Sequence, residues 1–446
     1  MGASTDAGDR VGGQRLTASR AGPGFNRFSI SQPILEVILC AVVLSSLAYV
    51  AAHFLAFGGL PRPLPSDPSQ SLMDLYNTAY WANRDGAYDI WHTVYPPLSL
   101  IFAQAISRQA CYATTPFDGR ACDPGAAWFI LAFYLLNIAL VFLALWRSDR
   151  KTAAPRTLAL CFGLPMLYAL DFANLIIPCF TFFILAHGRL VRSRWLRHLF
   201  SAVAFNFKLY LLVVALPFAL QRRVRWVLSA AAAFLVVYLV TLAIYGSGTP
   251  WQLLQDLLYY SRVQSGLFLE DNRLPAIARA SGDAWAVTMP LVLRLGEGVA
   301  LLALLAGIRS RGAVDRRRLA ALALSVLCTE AALHTQGFSA DYTQVFLLFL
   351  LFLEREWRPA TAFVTVLAYL LCISGDFTLV HAETVFRAGY FSGSEVRVDF
   401  GLTASQFVRP LLIVLIQIGL AWMIVRKVID RRAARIAQQP PALPVG

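Results

Sequence analysis

The chain is short of charge. Only 15% of its 446 residues are Asp, Glu, Lys or Arg, against about 25% in an average soluble domain. Its seven cysteines are too few for a disulfide-stapled secreted scaffold. There is no Walker A loop, HExxH, CxxC, GxSxG or Rossmann fingerprint, and no His/Asp/Glu cluster with metal-ligand spacing. No short tandem repeat stands out. What is abundant is apolar: 58% of the residues are hydrophobic, which excludes a disordered chain and a DNA-binding module. The charge that remains is lopsided, 39 Lys and Arg against 26 Asp and Glu. In a membrane protein such an excess marks basic loops kept on the cytoplasmic side, with no nucleic-acid partner implied.

Apolar runs long enough to cross a bilayer lie near 33–57, 126–146, 226–245, 284–307, 359–380 and 407–425. Tighter pairs lie at 156–170 with 173–189, and at 319–333 with 342–353. Residues 97–107 are apolar but short, and 198–220 are interrupted by Lys208. Seven clusters hold 27 of the 39 basic residues: the N-terminal tail, 147–156, 189–197, 222–225, 309–318, 355–358 and 426–435. Placing all seven on one side requires that 97–107 stay juxtamembrane or re-entrant. It also requires 198–220 to return to its starting side as two short helices meeting near Lys208. The reading is an all-α polytopic membrane protein with about 10–12 transmembrane helices and juxtamembrane helices in the first outer loop. Its parts are a disordered cytoplasmic tail (1–31), a transmembrane domain (32–426) and a basic cytoplasmic tail (427–446). Broken segments at membrane depth must line a wet cavity or be buried in protein.

This topology gathers the unusual residues on the outer face. Residues 72–84 form an interfacial helix on which Asp74, Asn77, Thr78 and Trp81 share one face. A carboxylate among hydroxyl, amide and aromatic groups suits a carbohydrate. The aromatic residues there, Tyr76 and Trp81 included, also suit a bilayer-interface belt. Tyr95-Pro96-Pro97 fixes an extended entry to an apolar helix. Asp171 and Asn174, in the turn DFAN, either cap the following helix or line a cleft. Lys208 is a cation at membrane depth, and such charges face a cavity or a partner. Glu330 and His334 end a late span, while Arg294 and Glu297 read as an internal ion pair. The loop 246–283 contributes Glu270, Asp271, Asn272 and Arg273, suited to a polar headgroup. Cys111 and Cys122 flank a polar outer loop and suit a disulfide; the other five cysteines read as small core residues.

Taken together, Asp74 and Tyr76, the YPP at 95–97, Asp171 to Asn174, Lys208, Asp271-Asn272-Arg273 and His334 resemble glycosyltransferase family 87. These are mannosyltransferase-like membrane enzymes of the GT-C fold that use polyprenyl-phosphate sugars, and the resemblance runs over about 33–425. It implies Asp74 as general base on an acceptor hydroxyl, and Lys208 with His334 or Arg273 on the departing phosphate. Tyr76, Trp81, Tyr95, Asp171, Asn174 and Asn272 would contact substrate. It implies no cofactor besides the lipid-linked donor. The partners would be membrane lipid, a polyprenyl-phosphate sugar, and a lipid or glycan acceptor. The site would face the periplasm of a bacterial inner membrane. A lipid-linked glycan flippase and an O-antigen polymerase or ligase are the rival readings.

Overall fold

The computed structural model describes residues 31–64, 67–217, 224–259, 283–310, 314–334, 342–390 and 394–437. Asn272 and Arg273, and the rest of 260–282, lie outside the described residues, as do both ends of the chain.

Six helices are long and apolar enough to cross a membrane. The first, α1 (Gln32–Phe57), has Pro33 as its second residue and stops at Gly58, whose left-handed φ of 70° lets its N–H bond back to Phe54. At the end where α1 stops lie three short helices, α2 (Met73–Asn83), α3 (Pro97–Ile106) and α4 (Pro116–Cys122). With ten residues, α3 spans about 15 Å, half a hydrocarbon core. The long α5 (Pro124–Ser148) follows, then α6 (Ala153–Phe162) and α7 (Leu164–Asp171). The run read at 156–170 lies within Ala153–Asp171, one of the six spans, which Gly163 and Pro165 bend into α6 and α7. A Cβ at Gly163 would strike the Ala159 carbonyl and Cys372, so the bend brings α6 against the end of a later helix. After α8 (Ile176–His187) and α9 (Arg194–Phe207), Lys208 is extended (φ −142°, ψ 99°) and a single 3₁₀ stretch covers 209–214. The interruption at Lys208 therefore stands where the sequence placed it.

The second half holds α10 (Val224–Tyr245), α11 over residues 250–259, α12 (Asp283–Arg309), α13 (Arg316–His334), α14 (Gln344–Phe352) and α15 (Pro359–Leu371). An antiparallel hairpin, β1 (Thr378–Ala388) and β2 (Glu395–Thr403), precedes α16 (Ser405–Ala437). One expectation changes here. The apolar run 359–380 leaves the helix after Leu371 and becomes a strand from Thr378. Residues 427–437, at the start of the basic tail, are helical and continue α16. All the same, the fold is helical apart from this one hairpin among the described residues.

Hydrogen bonds define two ends. At one, Arg147 donates to Leu190 O (3.0 Å), Arg355 to Arg147 O (2.6 Å), and Arg431 to Ser310 O (3.1 Å). Arg318 pairs with Glu354 (2.8 Å) beside them. Five of the seven basic clusters thus share one end. Just inside it, Glu36 and Arg156 form a buried two-point ion pair, 2.7 Å on each arm. Gln32 and Tyr369 also donate to Glu36, and Arg156 reaches the Glu354 carbonyl at 2.8 Å. This pair joins α1 to α6, and its tyrosine adds α15. Between the ends, Phe180 and Phe183 of α8 meet Phe346 and Phe349 of α14 edge to face at 4.9 to 5.7 Å. Such pairs add about 0.5–1.5 kcal/mol each beyond burial. The five free cysteines are all buried.

Candidate active site

The other end is organised around the start of α2. Leu72, at φ 66°, donates its N–H to the Asp171 carbonyl at 2.6 Å. Arg120 holds the approach from the opposite side. One of its guanidinium nitrogens donates to the carbonyls of Pro68 (3.2 Å), Ser69 (3.0 Å) and Ser71 (3.0 Å). Arg120 itself lies in the loop closed by the Cys111–Cys122 disulfide. Next to that bridge, Asp123 accepts the Arg108 N–H (2.7 Å), and its carbonyl accepts the Tyr76 hydroxyl (2.9 Å). The polar loop is thus a brace under the first turn of α2. Replacing both cysteines by serine is expected to cost about 2–4 kcal/mol. A lowered thermal midpoint checks this, and an unchanged midpoint would remove the brace from the account.

Asp74 sits in that first turn, where the helix dipole favours a carboxylate. Its partner is Asn174, which is fully buried. The Asn174 side-chain oxygen accepts the Ile176 N–H at 2.9 Å and so ties off the start of α8 from one residue before its N-cap, Leu175. This fixes the amide, and the opposite end, Nδ2, donates to Asp74 Oδ2 at 2.5 Å. The sequence left two roles open for this residue, helix cap and cleft lining, and Asn174 performs the first while facing Asp74 with the second. Ala173, at φ 48°, turns the chain between Asp171 and Asn174. Asp171 accepts Ser71 Oγ at 3.0 Å, and Ser71 is also 2.9 Å from the Tyr390 hydroxyl of the hairpin turn. The second carboxylate oxygen of Asp171 is buried and has no hydrogen-bond partner among the described residues.

The cation of the site is Lys208. Ser99 Oγ donates to the Phe207 carbonyl (2.9 Å) and ties α3 to the point where α9 ends. Lys208 then leaves the helix, and its ammonium donates to the Tyr95 hydroxyl at 3.2 Å. It also lies 4.3 Å from the Tyr95 ring centroid and 6.0 Å from that of Tyr342. Tyr95 is fixed in turn by Tyr88, whose hydroxyl donates to its carbonyl at 2.9 Å. Burial pushes the Asp74 carboxyl above the usual carboxylate range, while the Asn174 donor and the nearby Lys208 charge pull it back. The result is a desolvated carboxylate held by one amide, with a cation at hand.

The sequence-predicted residues divide on these contacts. Asp74, Asp171, Asn174, Lys208 and Tyr95 come together. Tyr76 does not: it is buried against the disulfide loop with its hydroxyl spent on Asp123, because that side of α2 packs on α4. Trp81 packs between two apolar clusters as a partly buried wedge. Thr78 returns its hydroxyl to the Asp74 carbonyl at 2.6 Å, so it shares the helix face without offering a free group. His334 is the last residue of α13, and its side chain is outside the described residues. Glu330 is drawn away by Arg294, which bridges it (2.5 Å) and Glu297 (2.8 Å). Sequence reasoning missed Ser71, Arg120, Tyr342 and Tyr390. Ser71 directly precedes the helix read at 72–84, but the other three are brought in only by the tertiary fold.

A model of glycosyltransferase family 87 matches residues 93–334, just over half of the chain. Searches of the curated proteins and of the solved structures gave no match. The matched stretch opens two residues before Tyr95, takes in Asp171, Asn174 and Lys208, and closes on His334. Asp74 precedes it and is joined to it by the Asn174 amide. With six helices fit to cross a bilayer and more than half its length matched, the chain is a membrane protein that belongs to glycosyltransferase family 87.

Proposed function

We propose that this glycosyltransferase moves a hexose, mannose or a close relative, from a polyprenyl-phosphate donor to a hydroxyl of a lipid or glycan acceptor. The cleft works on the outer, periplasmic face of a bacterial inner membrane, in a GT-C-like scaffold. The observation that carries this reading is the Asp74–Asn174 contact beside Lys208, at the end of the bundle opposite the basic connectors. The Asp74 carboxylate takes the proton of the acceptor hydroxyl as its oxygen attacks the anomeric carbon. The bond from that carbon to the phosphate oxygen breaks, and the electron pair leaves with the phosphate. Lys208 stands where that growing charge is stabilised. The configuration at the anomeric carbon inverts. Asp171 is a substrate contact in this reading, and Tyr95 positions Lys208. In this reading His334 or Arg273 completes the phosphate side, and Asn272 contacts substrate. No cofactor enters, since the donor arrives already activated on a lipid.

The test is direct. The purified chain in nanodiscs is given polyprenyl-phosphate [14C]mannose, polyprenyl-phosphate [14C]glucose or the matching nucleotide sugars, with a membrane lipid extract as acceptor. Labelled glycolipid from a lipid donor supports the proposal. Transfer from nucleotide sugars alone would sink it.

The electrostatics of Asp74 make a second prediction. Only the carboxylate accepts a proton, so transfer rises with pH through the Asp74 titration. Asn174→Ala and Lys208→Met each remove an influence that holds this titration down. In both variants the rising limb of kcat/KM is expected to move to higher pH. A limb that stays in place would mean that another group controls it.

A further inference from the structure

The same end of the bundle carries a second structure that sugar transfer does not use. Beyond α10 the chain turns at Gly246 and Gly248, both at left-handed φ (82° and 90°). Gly248 must be glycine for a second reason: a Cβ there would enter the Tyr88 ring. The short helix α11 then faces a loop over residues 84–92. Only Leu253 and Asp256 of α11 point inward, with 3% and 4% of their surface exposed. Three polar contacts latch it. The His92 ring nitrogen Nδ1 lies 3.0 Å from Asp256 Oδ1, Gln252 donates to Asp89 at 3.2 Å, and Tyr238 donates to the Gly248 carbonyl at 2.6 Å. His92 adopts φ 48° to make its contact and lies 4.2 Å from the Tyr259 ring.

The outward face is the opposite of what water selects. Trp251 is 65% exposed, Leu254 45% and Leu258 47%, with Ile90 and Trp91 standing out from the facing loop. A water-facing surface helix turns its apolar stripe inward and its polar side out. Continuity identifies what covers this face. The span of α10 is the least buried of the six, 11% of its apolar window. Its exposed residues Leu235, Leu239 and Ile244 lead along the helix to the glycine turn and so to Trp251. An exposed apolar helix surface thus leads, across one short turn, into α11, and tryptophan is the residue enriched at the bilayer interface.

We infer that α11 and the 84–92 loop form a clasp seated in the bilayer interface, its Trp and Leu side covered by lipid chains and its polar side closed by the His92–Asp256 contact. The loop runs on into Tyr95, which Tyr88 holds and which touches Lys208. The clasp therefore brings the lipid surface up to the edge of the cleft.

Nitroxide labels test the placement in the full chain in phosphatidylcholine and phosphatidylglycerol nanodiscs. Labels go on Trp251→Cys, Leu254→Cys and, as the aqueous reference, Lys151→Cys; the native free cysteines are all buried. Collision with oxygen relative to a water-soluble nickel chelate is expected to be several-fold higher at 251 and 254 than at 151. A ratio equal to that at 151 would put the face in water and overturn the inference. Dipolar broadening between labels on two chains in one disc would overturn it too, since a second copy would then cover the face. Adding His92→Ala is expected to sharpen the 254 line shape as the clasp loosens. An unchanged line shape would remove the latch.

Discussion

Asp74→Asn is expected to lower the turnover of sugar transfer by about 10²–10⁴-fold, the range set by removing a positioned general base. The substitution is close in shape. An asparagine oxygen still accepts the Asn174 amide, so α2 and α8 keep their connection. What disappears is the ability to take a proton from the attacking hydroxyl. KM for the lipid donor should change little, because Lys208 and the rest of the phosphate side are untouched. Turnover in an assay with polyprenyl-phosphate mannose, with the thermal midpoint as a folding control, gives the answer. Near-normal turnover in a folded variant would take the base away from Asp74. A matching fall in both kcat and midpoint would mean that the residue serves the fold first.

Arg156→Met is expected to be the most destabilising single change at the basic end. Glu36 has no exposed surface, and both its oxygens point at the guanidinium. Removing one member of a buried pair leaves the other charge desolvated and unpaired, at a cost of about 3–5 kcal/mol. Adding Glu36→Leu should recover much of the loss, because the stranded charge goes with it. Recovery stays partial, since Gln32, Tyr369 and the Glu354 carbonyl each lose a partner. Thermal midpoints of the two variants in detergent decide it. If the double variant is no more stable than the single one, the pair does not act as a unit.

These two sites show where sequence reading reaches and where it stops. Lys208 was legible because a charge inside an apolar run is an anomaly of the run itself. The break beside it followed from the charge bookkeeping of the loops. The prolines before α3, the paired cysteines and the turn at 171–174 were likewise local signals. Glu36 was not legible. It sits early in the first apolar run, and its partner, 120 residues later, looked like one more basic-loop residue. The hairpin was written in the sequence as alternation, in EVRVDFGLT above all. An apolar run ending at 380 concealed its first strand, and Val396 and Val398 bury only because the hairpin folds back on the bundle. Tyr76, a substrate contact only by the resemblance, has its hydroxyl on the Asp123 carbonyl. Helical spacing fixes which residues share a face, but only the disulfide loop decides which face meets protein.

Asn174 has one more consequence. Its two amide ends are committed to different tasks, one to folding and one to chemistry, so the position tolerates no ordinary exchange. Serine or threonine would still start α8 but has no NH₂ to offer the carboxylate. Aspartate would start it too, and would set a second negative charge against the first. Glutamine carries the right group on a stem one carbon too long for both contacts. At this position each of these replacements repairs one duty and forfeits the other, so Asn174→Ala, which forfeits both, should be slower and less stable as well as shifted in its pH limb.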